Sequence, residues 1–307
     1  MISVVIPTYN AAAYIPALFD TLSKQSVSMQ LIVIDSQSTD NTPLLLQKRG
    51  IPFVSIPAST FNHGGTRNLG VSMAQYENIV MLTQDALPTK ENTLEVLVNM
   101  MNSCENIGMA YGRQLPYPDA DLMSVYARQT NYPPQSDVKS IDDIPRLGIR
   151  TCHCSNSFAA YKKSALLAVG GFPIDTVLGE DVVVAARLIK AGRPLAYCAE
   201  AQVVHSHNYN LTEEFKRYFD IGAFHEQQRD LLKDFQRAES EGFRYVLDEW
   251  QYLAKQGAVR MIPTQLLRTG AKYIGYRLGR MHDRFSINAK RRMSMHAKFW
   301  AQQTTTE

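Results

Sequence analysis

Short apolar runs alternate with stretches of helical periodicity along the first hundred residues. The apolar runs predict four strands, over residues 2–6, 31–34, 53–56 and 79–82. The stretches between them place apolar residues on one helical face and predict helices over residues 11–23, 39–47, 66–74 and 91–102. Strands that alternate with helices indicate an α/β fold with a doubly wound, mostly parallel sheet.

The pattern becomes less regular after about residue 113. Residues 114–146 contain five prolines and little periodicity, which predicts a long loop region or a mobile lid. Regular elements then resume, with strands over 157–161, 196–198 and 202–205 and helices over 164–169 and 180–191. From Thr212 to about Trp300 the chain is predicted to be helical, with breaks near Gly257, Pro263 and Ser286.

Three of the predicted strands lead directly into a polar residue, namely Tyr9, Asp35 and Asp85. Ligands of doubly wound sheets bind at the carboxyl ends of the strands. The three side chains are therefore expected to converge on one crevice.

Composition excludes several classes of protein. The chain has 307 residues, 45% of them hydrophobic and 20% charged, with a net charge of +3, which excludes a disordered or collagen-like protein. No apolar stretch approaches the roughly 18 residues of a membrane span. The apolar run 2–6 has no basic flank and ends at Pro7, so a strand is expected rather than a signal peptide. Four cysteines without a CxxC pair predict reduced thiols in a cytoplasmic protein.

Basic residues are concentrated near the end of the chain. Between Arg260 and Trp300 there are ten lysines and arginines and a single acid, Asp283, whereas residues 1–259 hold 22 basic and 27 acidic residues. The basic residues interleave with leucines, tyrosines and isoleucine, which suits a helix on an anionic membrane surface. Packing of this segment on the rest of the protein is the alternative. Nucleic acid is not an expected partner, because nothing upstream resembles a nucleic-acid module.

Several motifs occur together at consistent spacing: VVIPTYN, IVIDSQSTDNT, HGGTRNLG, TQDA and GED. Over roughly residues 1–210 this combination resembles family 2 glycosyltransferases, which have the Rossmann-like GT-A fold. FNHGGTRN, LTQDA, HSHN and the tail motif KYIGYRLGR are most similar to the bacterial rhamnosyltransferase branch, which uses dTDP-L-rhamnose. The resemblance implies a GT-A domain over 1–210, with a nucleotide-sugar half over 1–113 and an acceptor half over 114–210, followed by a helical basic extension over 211–307.

A nucleotide-sugar site is predicted from six residues: Pro7, Tyr9, Asp35, His63, Arg67 and Gln84. Asp35 could accept a hydrogen bond from the imino N–H of uracil or thymine while Tyr9 lies against the ring. Arg67 follows Gly64 and Gly65, where a ligand could approach closely, and its guanidinium could bind the diphosphate. The alternatives are that Asp35 only caps its turn through Ser38, and that His63 is a structural histidine.

The predicted cofactor is Mg²⁺, or Mn²⁺, held by Asp85 and His205. The resemblance places Asp85 at the last carboxylate of the family's Asp-x-Asp motif, but Thr83 stands where the first Asp would be. Asp85 could instead cap a turn, and His205 could be a core residue. His207 is a supporting candidate.

The resemblance gives the role of catalytic base to Asp181, at the start of a predicted helix. A carboxylate there could take the proton from the acceptor hydroxyl as the oxygen attacks the anomeric carbon. One displacement inverts the sugar, so dTDP-β-L-rhamnose would give an α-L-rhamnoside. Glu180 could orient the acceptor, or both acids could only complement the helix dipole.

These features predict an inverting rhamnosyltransferase that acts on a lipid-linked oligosaccharide in the synthesis of a bacterial surface polysaccharide. It is expected in the cytoplasm, peripheral on the inner face of the membrane. A family 2 enzyme that uses another UDP- or dTDP-sugar is one alternative, and a noncatalytic nucleotide-sugar-binding scaffold is another. A dehydrogenase is disfavoured, because PTYNAAAY rather than a GxGxxG turn follows the first strand.

Overall fold

The computed structural model describes residues 1–235 and 240–302, except for the side chains of residues 240–243. Within this part of the chain there are nine strands: β1 (Ile2–Thr8), β2 (Met29–Asp35), β3 (Phe53–Ser55), β4 (Asn78–Leu82), β5 (Leu87–Pro88), β6 (Met109–Leu115), β7 (Asp137–Lys139), β8 (Phe158–Lys162) and β9 (Leu195–Val204).

The α-helices of the described residues fall into two groups. Those of the first 190 residues are α1 (Ile15–Leu22), α2 (Thr42–Lys48), α3 (His63–Met73), α4 (Thr93–Asn102), α5 (Leu122–Asn131), α6 (Ile144–Leu147), α7 (Lys163–Ala168) and α8 (Glu180–Lys190). The later ones are α9 (Leu211–Gln227), α10 (Arg229–Leu232), α11 (Ser240–Lys255), α12 (Ile262–Gly279), α13 (Ile287–Met293) and α14 (Ala297–Gln302).

All nine strands belong to one mixed sheet of order β3-β2-β1-β4-β8-β6-β9-β5, with β7 also paired to β9. The first four strands are parallel, as predicted. β8 then runs antiparallel to both β4 and β6, while β6 and β9 are parallel. The periodicity of apolar residues reports burial and not strand direction, so the antiparallel strands could not be recognised from it.

The chain forms two compact units. The first comprises residues 1–117, 128–174 and 180–206 and contains the sheet; the second comprises residues 118–127, 175–179 and 207–307. The predicted division at residue 210 stays a prediction. The loop region predicted over 114–146 is partly wrong, since α5 and β7 lie within it. Prolines on either side of α5 hide its periodicity.

The core of the first unit lies between the sheet and the helices that cover it. Helix α1 shows how the sequence builds it: Ile15, Leu18, Phe19 and Leu22 recur at helical spacing and are all buried. They pack with alternate residues of β1, such as Val4 and Ile6, which are also buried. Burial of each such side chain contributes about 1.5–3 kcal/mol.

In the second unit, helices α9 and α12 approach very closely. A Cβ atom at Gly279 would lie 2.0 Å from the carbonyl oxygen of Phe219, and one at Gly275 would lie 2.4 Å from that of Phe215. Only glycine fits such a contact between two backbones. The reciprocal position on α9 is Gly222, where a Cβ would lie 2.2 Å from the Tyr276 carbonyl oxygen.

The C-terminal helices of the second unit are anchored on α9. The Asp220 carboxylate accepts a hydrogen bond from the Met295 backbone N–H at 2.8 Å. Trp300 is fully buried, with its ring 6.3 Å from that of Phe219 and 5.4 Å from that of His282. The predicted extension over 211–307 is helical where it is described; its residues 236–239 and 303–307 lie outside the described residues.

Candidate active site

The carboxyl ends of β1 and β2 form one hydrogen-bonded corner. Asp35 is 1% exposed, and its carboxylate accepts hydrogen bonds from the Thr8 hydroxyl at 3.1 Å and from the Ser38 backbone N–H at 2.9 Å. The neighbouring turn is locked by Asn10, whose side-chain oxygen accepts from the Thr39 backbone N–H at 2.9 Å. Asp35 therefore caps its turn through Ser38, and its contact with a nucleobase stays a prediction.

The ends of β1 and β4 are joined by the Gln84 side chain. Its oxygen accepts from the Tyr9 backbone N–H at 2.8 Å, and its nitrogen donates to the Tyr9 carbonyl oxygen at 3.1 Å. The predicted convergence of the strand ends of β1, β2 and β4 thus occurs, and the Tyr9 side chain is exposed there. Pro7 also fits this strand end, because β4 pairs only with Ser3–Val5 and leaves the position of Pro7 without a neighbour on that side.

Two residues other than glycine have positive φ within the described part of the chain: Asn10 at 49° and Gln37 at 52°. Both lie in the turns that follow β1 and β2. Non-glycine residues rarely adopt this conformation, and those that do concentrate at functional sites. This observation favours the corner as a ligand site.

Helix α3 begins in the HGGTRNLG motif. The Asn62 side chain caps it by accepting from the Gly65 backbone N–H at 2.8 Å. A Cβ at Gly64 would lie 1.8 Å from the Pro173 carbonyl oxygen, so this glycine allows close approach of protein backbone rather than of a ligand. His63 is half-buried, and burial lowers its pKa.

Arg67 is buried and directed at a carboxylate of the protein itself. Its Nη1 lies 3.2 Å from Glu180 Oε1 and donates to the His63 carbonyl oxygen at 3.0 Å. Both side chains of the Arg67–Glu180 pair are 7% exposed. The predicted contact of Arg67 with a diphosphate stays a prediction, whereas its pairing with Glu180 is a finding.

The first turn of α8 brings Glu180 and Asp181 to Asn156. The Asn156 backbone N–H donates to Asp181 at 3.0 Å, and its side-chain nitrogen donates to Glu180 at 3.0 Å. Tyr161 holds the other end of this amide, since its hydroxyl donates to the Asn156 side-chain oxygen at 2.7 Å. Asp181 also accepts from the Val182 backbone N–H at 2.8 Å.

The two adjacent carboxyl groups have opposite pKa shifts. Burial, and then the charge of Glu180, raises the pKa of Asp181 to about 6. Burial alone would raise the pKa of Glu180, but Arg67, His63 and the Asn156 amide lower it. A carboxylate with a pKa close to neutrality is suited to accept and release a proton.

Asp85 and His205 lie together at the ends of β4 and β9. His205 Nε2 is 3.4 Å from Asp85 Oδ2, and the two side chains are 7% and 15% exposed. Tyr117 fixes the Asp85 backbone by donating from its hydroxyl to the Asp85 carbonyl oxygen at 2.8 Å. One carboxylate oxygen and one imidazole nitrogen form a donor pair that suits a divalent cation such as Mn²⁺, so the residues fit the predicted metal.

His207 begins the second unit. Its ring lies 5.4 Å from that of Tyr209, and its backbone oxygen accepts from the Ser124 hydroxyl at 3.0 Å. Its supporting role stays a prediction.

Sequence reasoning missed the side chains that hold the predicted acids. Asn156 and Tyr161 at the acidic pair, and Gln114 beside His205, belong to none of the motifs. Each is an ordinary polar residue that becomes informative only once the sheet places it, so no signal in the chain pointed to them.

Comparison with known proteins supports this arrangement. Residues 3–170, more than half of the chain, match the sequence pattern of glycosyl transferase family 2. The chain belongs to this family. The O-antigen chain rhamnosyltransferase WbaN of Salmonella anatum is 44% identical to this family 2 glycosyltransferase over 97% of the chain and 95% of the relative. RfbN of Salmonella typhimurium strain LT2, with the same description, is 44% identical over 97% of the chain and 96% of the relative.

Solved structures support the fold. The mannosyltransferase PcManGT from Pyrobaculum calidifontis, in complex with GDP-Man and Mn²⁺, aligns with 99% of this chain and 86% of its own at a TM-score of 0.59 and 16% identity. Residues 1–349 of TarS from S. aureus, in complex with UDP-GlcNAc, align with 92% of this chain and 91% of their own at a TM-score of 0.53 and 14% identity. The predicted family and GT-A fold are thus confirmed.

Proposed function

We propose that this glycosyltransferase moves L-rhamnose from dTDP-β-L-rhamnose, with inversion, to a hydroxyl group of a growing bacterial surface polysaccharide of the O-antigen type. The observation that carries the proposal is the 44% identity over 97% of the chain to two O-antigen chain rhamnosyltransferases. Transfer from another UDP- or dTDP-sugar is the alternative, because uracil and thymine differ by a single methyl group.

Asp181 would act as the base. It is half-buried at the start of α8, with both carboxylate oxygens oriented by backbone N–H groups of Asn156 and Val182. With a pKa of about 6 it is ionised at pH 7 and can take the proton of the acceptor hydroxyl. Base catalysis of this kind contributes about 10²–10⁴-fold. Glu180, paired with Arg67, would hold Asp181 in place rather than react.

The nucleotide would bind at the corner formed by β1, β2 and β4. Tyr9 is exposed at this corner, and Gln84 fixes its backbone. The turn residues with positive φ, Asn10 and Gln37, lie at the same strand ends.

Asp85 and His205 would hold Mg²⁺ or Mn²⁺, which when bound supplies positive charge to the diphosphate leaving group. Their donor atoms are 3.4 Å apart, a separation that two ligands of one cation can have. Imidazole is a better ligand for Mn²⁺ than for Mg²⁺, so Mn²⁺ is the expected choice where both are present.

The test is a donor and metal survey of the purified protein. Titration calorimetry with dTDP-rhamnose, UDP-glucose, UDP-galactose and UDP-GlcNAc, each with and without Mn²⁺, should give metal-dependent binding of dTDP-rhamnose in preference to the others. A preference for a UDP-sugar would refute the rhamnose proposal and leave the fold and the base untouched.

Asp181→Asn tests the base. Transfer to an oligosaccharide acceptor should fall by at least about 100-fold while donor binding is retained. Asp248→Asn, on the exposed surface of α11, is the matched control and should transfer at the normal rate. Normal transfer by the Asp181 variant would contradict the mechanism.

We also propose that α12 rests on an anionic membrane surface, where a lipid-linked acceptor would be presented. Within the described part of the chain, no helix is long and apolar enough to span a bilayer. The face of α12 opposite its glycines nevertheless exposes four large apolar side chains: Leu266, Leu267, Tyr273 and Ile274. Arg277 lies on the same face and is exposed. An apolar strip with basic residues is suited to the boundary between headgroups and acyl chains.

Part of the basic character of this segment serves the second unit itself. Arg268 pairs with Asp121 at 3.2 Å, Lys272 with Glu214 at 3.5 Å and Arg280 with Glu226 at 2.9 Å. The packing alternative therefore holds for these three basic residues, and the membrane proposal depends on the exposed apolar face.

Vesicle flotation tests the membrane proposal. Leu266 and Leu267 are 48% and 66% exposed, so together they offer about one full leucine side chain, worth about 2 kcal/mol or about 30-fold in partitioning. Replacement of both by Ser should weaken binding to phosphatidylglycerol vesicles by that factor. Leu247→Ser, on α11, should not. Equal flotation of the double variant and the control would refute the proposal.

A further inference from the structure

Gln114 is a buried amide at the end of β6 that stands between an arginine and the proposed metal ligand His205. It is 1% exposed. Its side-chain oxygen accepts a hydrogen bond from Arg128 Nη1 at 2.8 Å and lies 2.9 Å from His205 Nδ1. Its side-chain nitrogen is buried without a hydrogen-bond partner among the described residues.

Arg128 determines which way this amide points. A guanidinium only donates hydrogen bonds, so the atom of Gln114 that faces Arg128 must be the oxygen and not the nitrogen. The orientation leaves the amide nitrogen unsatisfied, at a cost of about 1–3 kcal/mol. An amide free to rotate would not keep this arrangement, which indicates that Arg128 and His205 impose it.

The orientation of Gln114 in turn determines the tautomer of His205. Because the same amide oxygen also faces His205 Nδ1, that nitrogen must carry a hydrogen and donate it. In the neutral imidazole the lone pair then lies on Nε2, the atom that is 3.4 Å from Asp85 Oδ2. Two electron-pair donors thus face each other across a gap that a cation can fill.

We infer that Gln114, oriented by Arg128, is a positioning residue that keeps His205 in the Nδ1–H tautomer and so prepares Nε2 to bind the metal. The inference rests on the proposed metal site at Asp85 and His205. Partners of this kind on the far nitrogen of a metal-binding histidine typically change metal affinity by 10–100-fold.

The first readout is the tautomer itself, in metal-free protein. With ¹⁵N-labelled histidine at pH 8, the ring nitrogen shifts of His205 should report a hydrogen on Nδ1 and none on Nε2. In Gln114→Met the acceptor at Nδ1 is gone, and the hydrogen should move to Nε2, where Asp85 can accept it. A wild-type imidazole protonated on Nε2, or on both nitrogens, would overturn the inference.

The second readout is Mn²⁺ affinity, measured by EPR titration of the protein mixed with dTDP. Gln114→Met should weaken Mn²⁺ binding by 10–100-fold, and Arg128→Met by about 10-fold because the amide can then rotate. Gln114→Glu retains an acceptor for both neighbours and should bind Mn²⁺ within a few-fold of the wild type.

Arg113→Met is the matched control for the loss of an arginine near β6. Its guanidinium donates to the Tyr132 carbonyl oxygen at 3.2 Å, and the variant should keep wild-type Mn²⁺ affinity. Unchanged affinity in both Gln114→Met and Arg128→Met would overturn the inference and leave the metal site standing. A wild-type protein that binds no Mn²⁺ with dTDP would overturn the proposed metal site and the inference with it.

Discussion

The buried pair of Arg67 and Glu180 permits a sharp test of the site's electrostatics. Arg67→Met removes the cation and leaves the Glu180 carboxylate, 7% exposed, with the Asn156 amide as its remaining polar neighbour of known geometry. Removal of one partner of a buried ion pair costs about 3–5 kcal/mol, because the other charge stays out of water without compensation. The variant should therefore lose about that much free energy of unfolding.

The double variant Arg67→Met/Glu180→Gln separates the pair from its parts. Gln keeps an acceptor for the Asn156 amide but carries no charge, so the double variant should recover about 2 kcal/mol or more relative to Arg67→Met alone. Arg49→Met is the control, because its pair with Asp20 is exposed, at 34% and 60%, and should be worth less than about 1 kcal/mol.

The assay is urea unfolding followed by far-UV circular dichroism, since Trp250 and Trp300 both lie in the second unit and their fluorescence would not report on the first. A loss of less than 1 kcal/mol in Arg67→Met would refute the reasoning. So would a double variant that is less stable than Arg67→Met.

Three further outcomes are expected. The kcat/KM of the wild type should fall tenfold per pH unit below about pH 6, as Asp181 becomes protonated, and a profile flat to pH 5 would contradict the role of this group. Gly279→Ala should destabilise the second unit by about 1–3 kcal/mol, because its Cβ would lie 2.0 Å from the Phe219 carbonyl oxygen, whereas Gly270→Ala, on the open face of the same helix, should stabilise by up to about 1 kcal/mol in thermal unfolding. Burial raises the pKa of Asp220 to about 6, so the folded state keeps a proton that the unfolded chain releases near pH 4. Stability should therefore fall as the pH rises from about 4 to 6, by up to about 3 kcal/mol, and Asp220→Asn should lose this part of the pH dependence in urea unfolding.

Local pattern was enough to predict the half of the fold that local pattern determines. β1, β2 and β4 are apolar runs buried on both faces, and their order in a parallel sheet follows from the helices between them. The direction of β8 could not be predicted, because it depends on a long connection through residues 116–157 that has no simple periodicity. Helix α5 was missed for a related reason, since only Met123 and Tyr126 on it are buried and flanking prolines obscure so short a signal.

The candidate site divides along a similar line. Asp35, Asp85 and Asp181 were predicted because a carboxylate at a strand end or a helix start stands out in the sequence. Their partners were not, because a hydrogen-bond partner is defined by position in space. Arg67 is the instructive case: a guanidinium next to two glycines suggests a ligand site, but the glycine at 64 accommodates a backbone carbonyl and the guanidinium pairs with a buried acid of the protein.

Neutral amides do most of the positioning in this site, and a physical reason can be given. Gln84 ties two strand ends together, Asn156 holds Asp181, and Gln114 faces His205. An amide both donates and accepts, so it can join a carboxylate or an imidazole to the scaffold without a net charge. Each charge added near the proposed metal and diphosphate would act over several ångströms in a medium of low dielectric constant and shift the affinity for both. Dipoles fall off faster with distance than charges, so amides can fix the direction of the reactive groups while the affinity for metal and diphosphate is left to the ligands themselves.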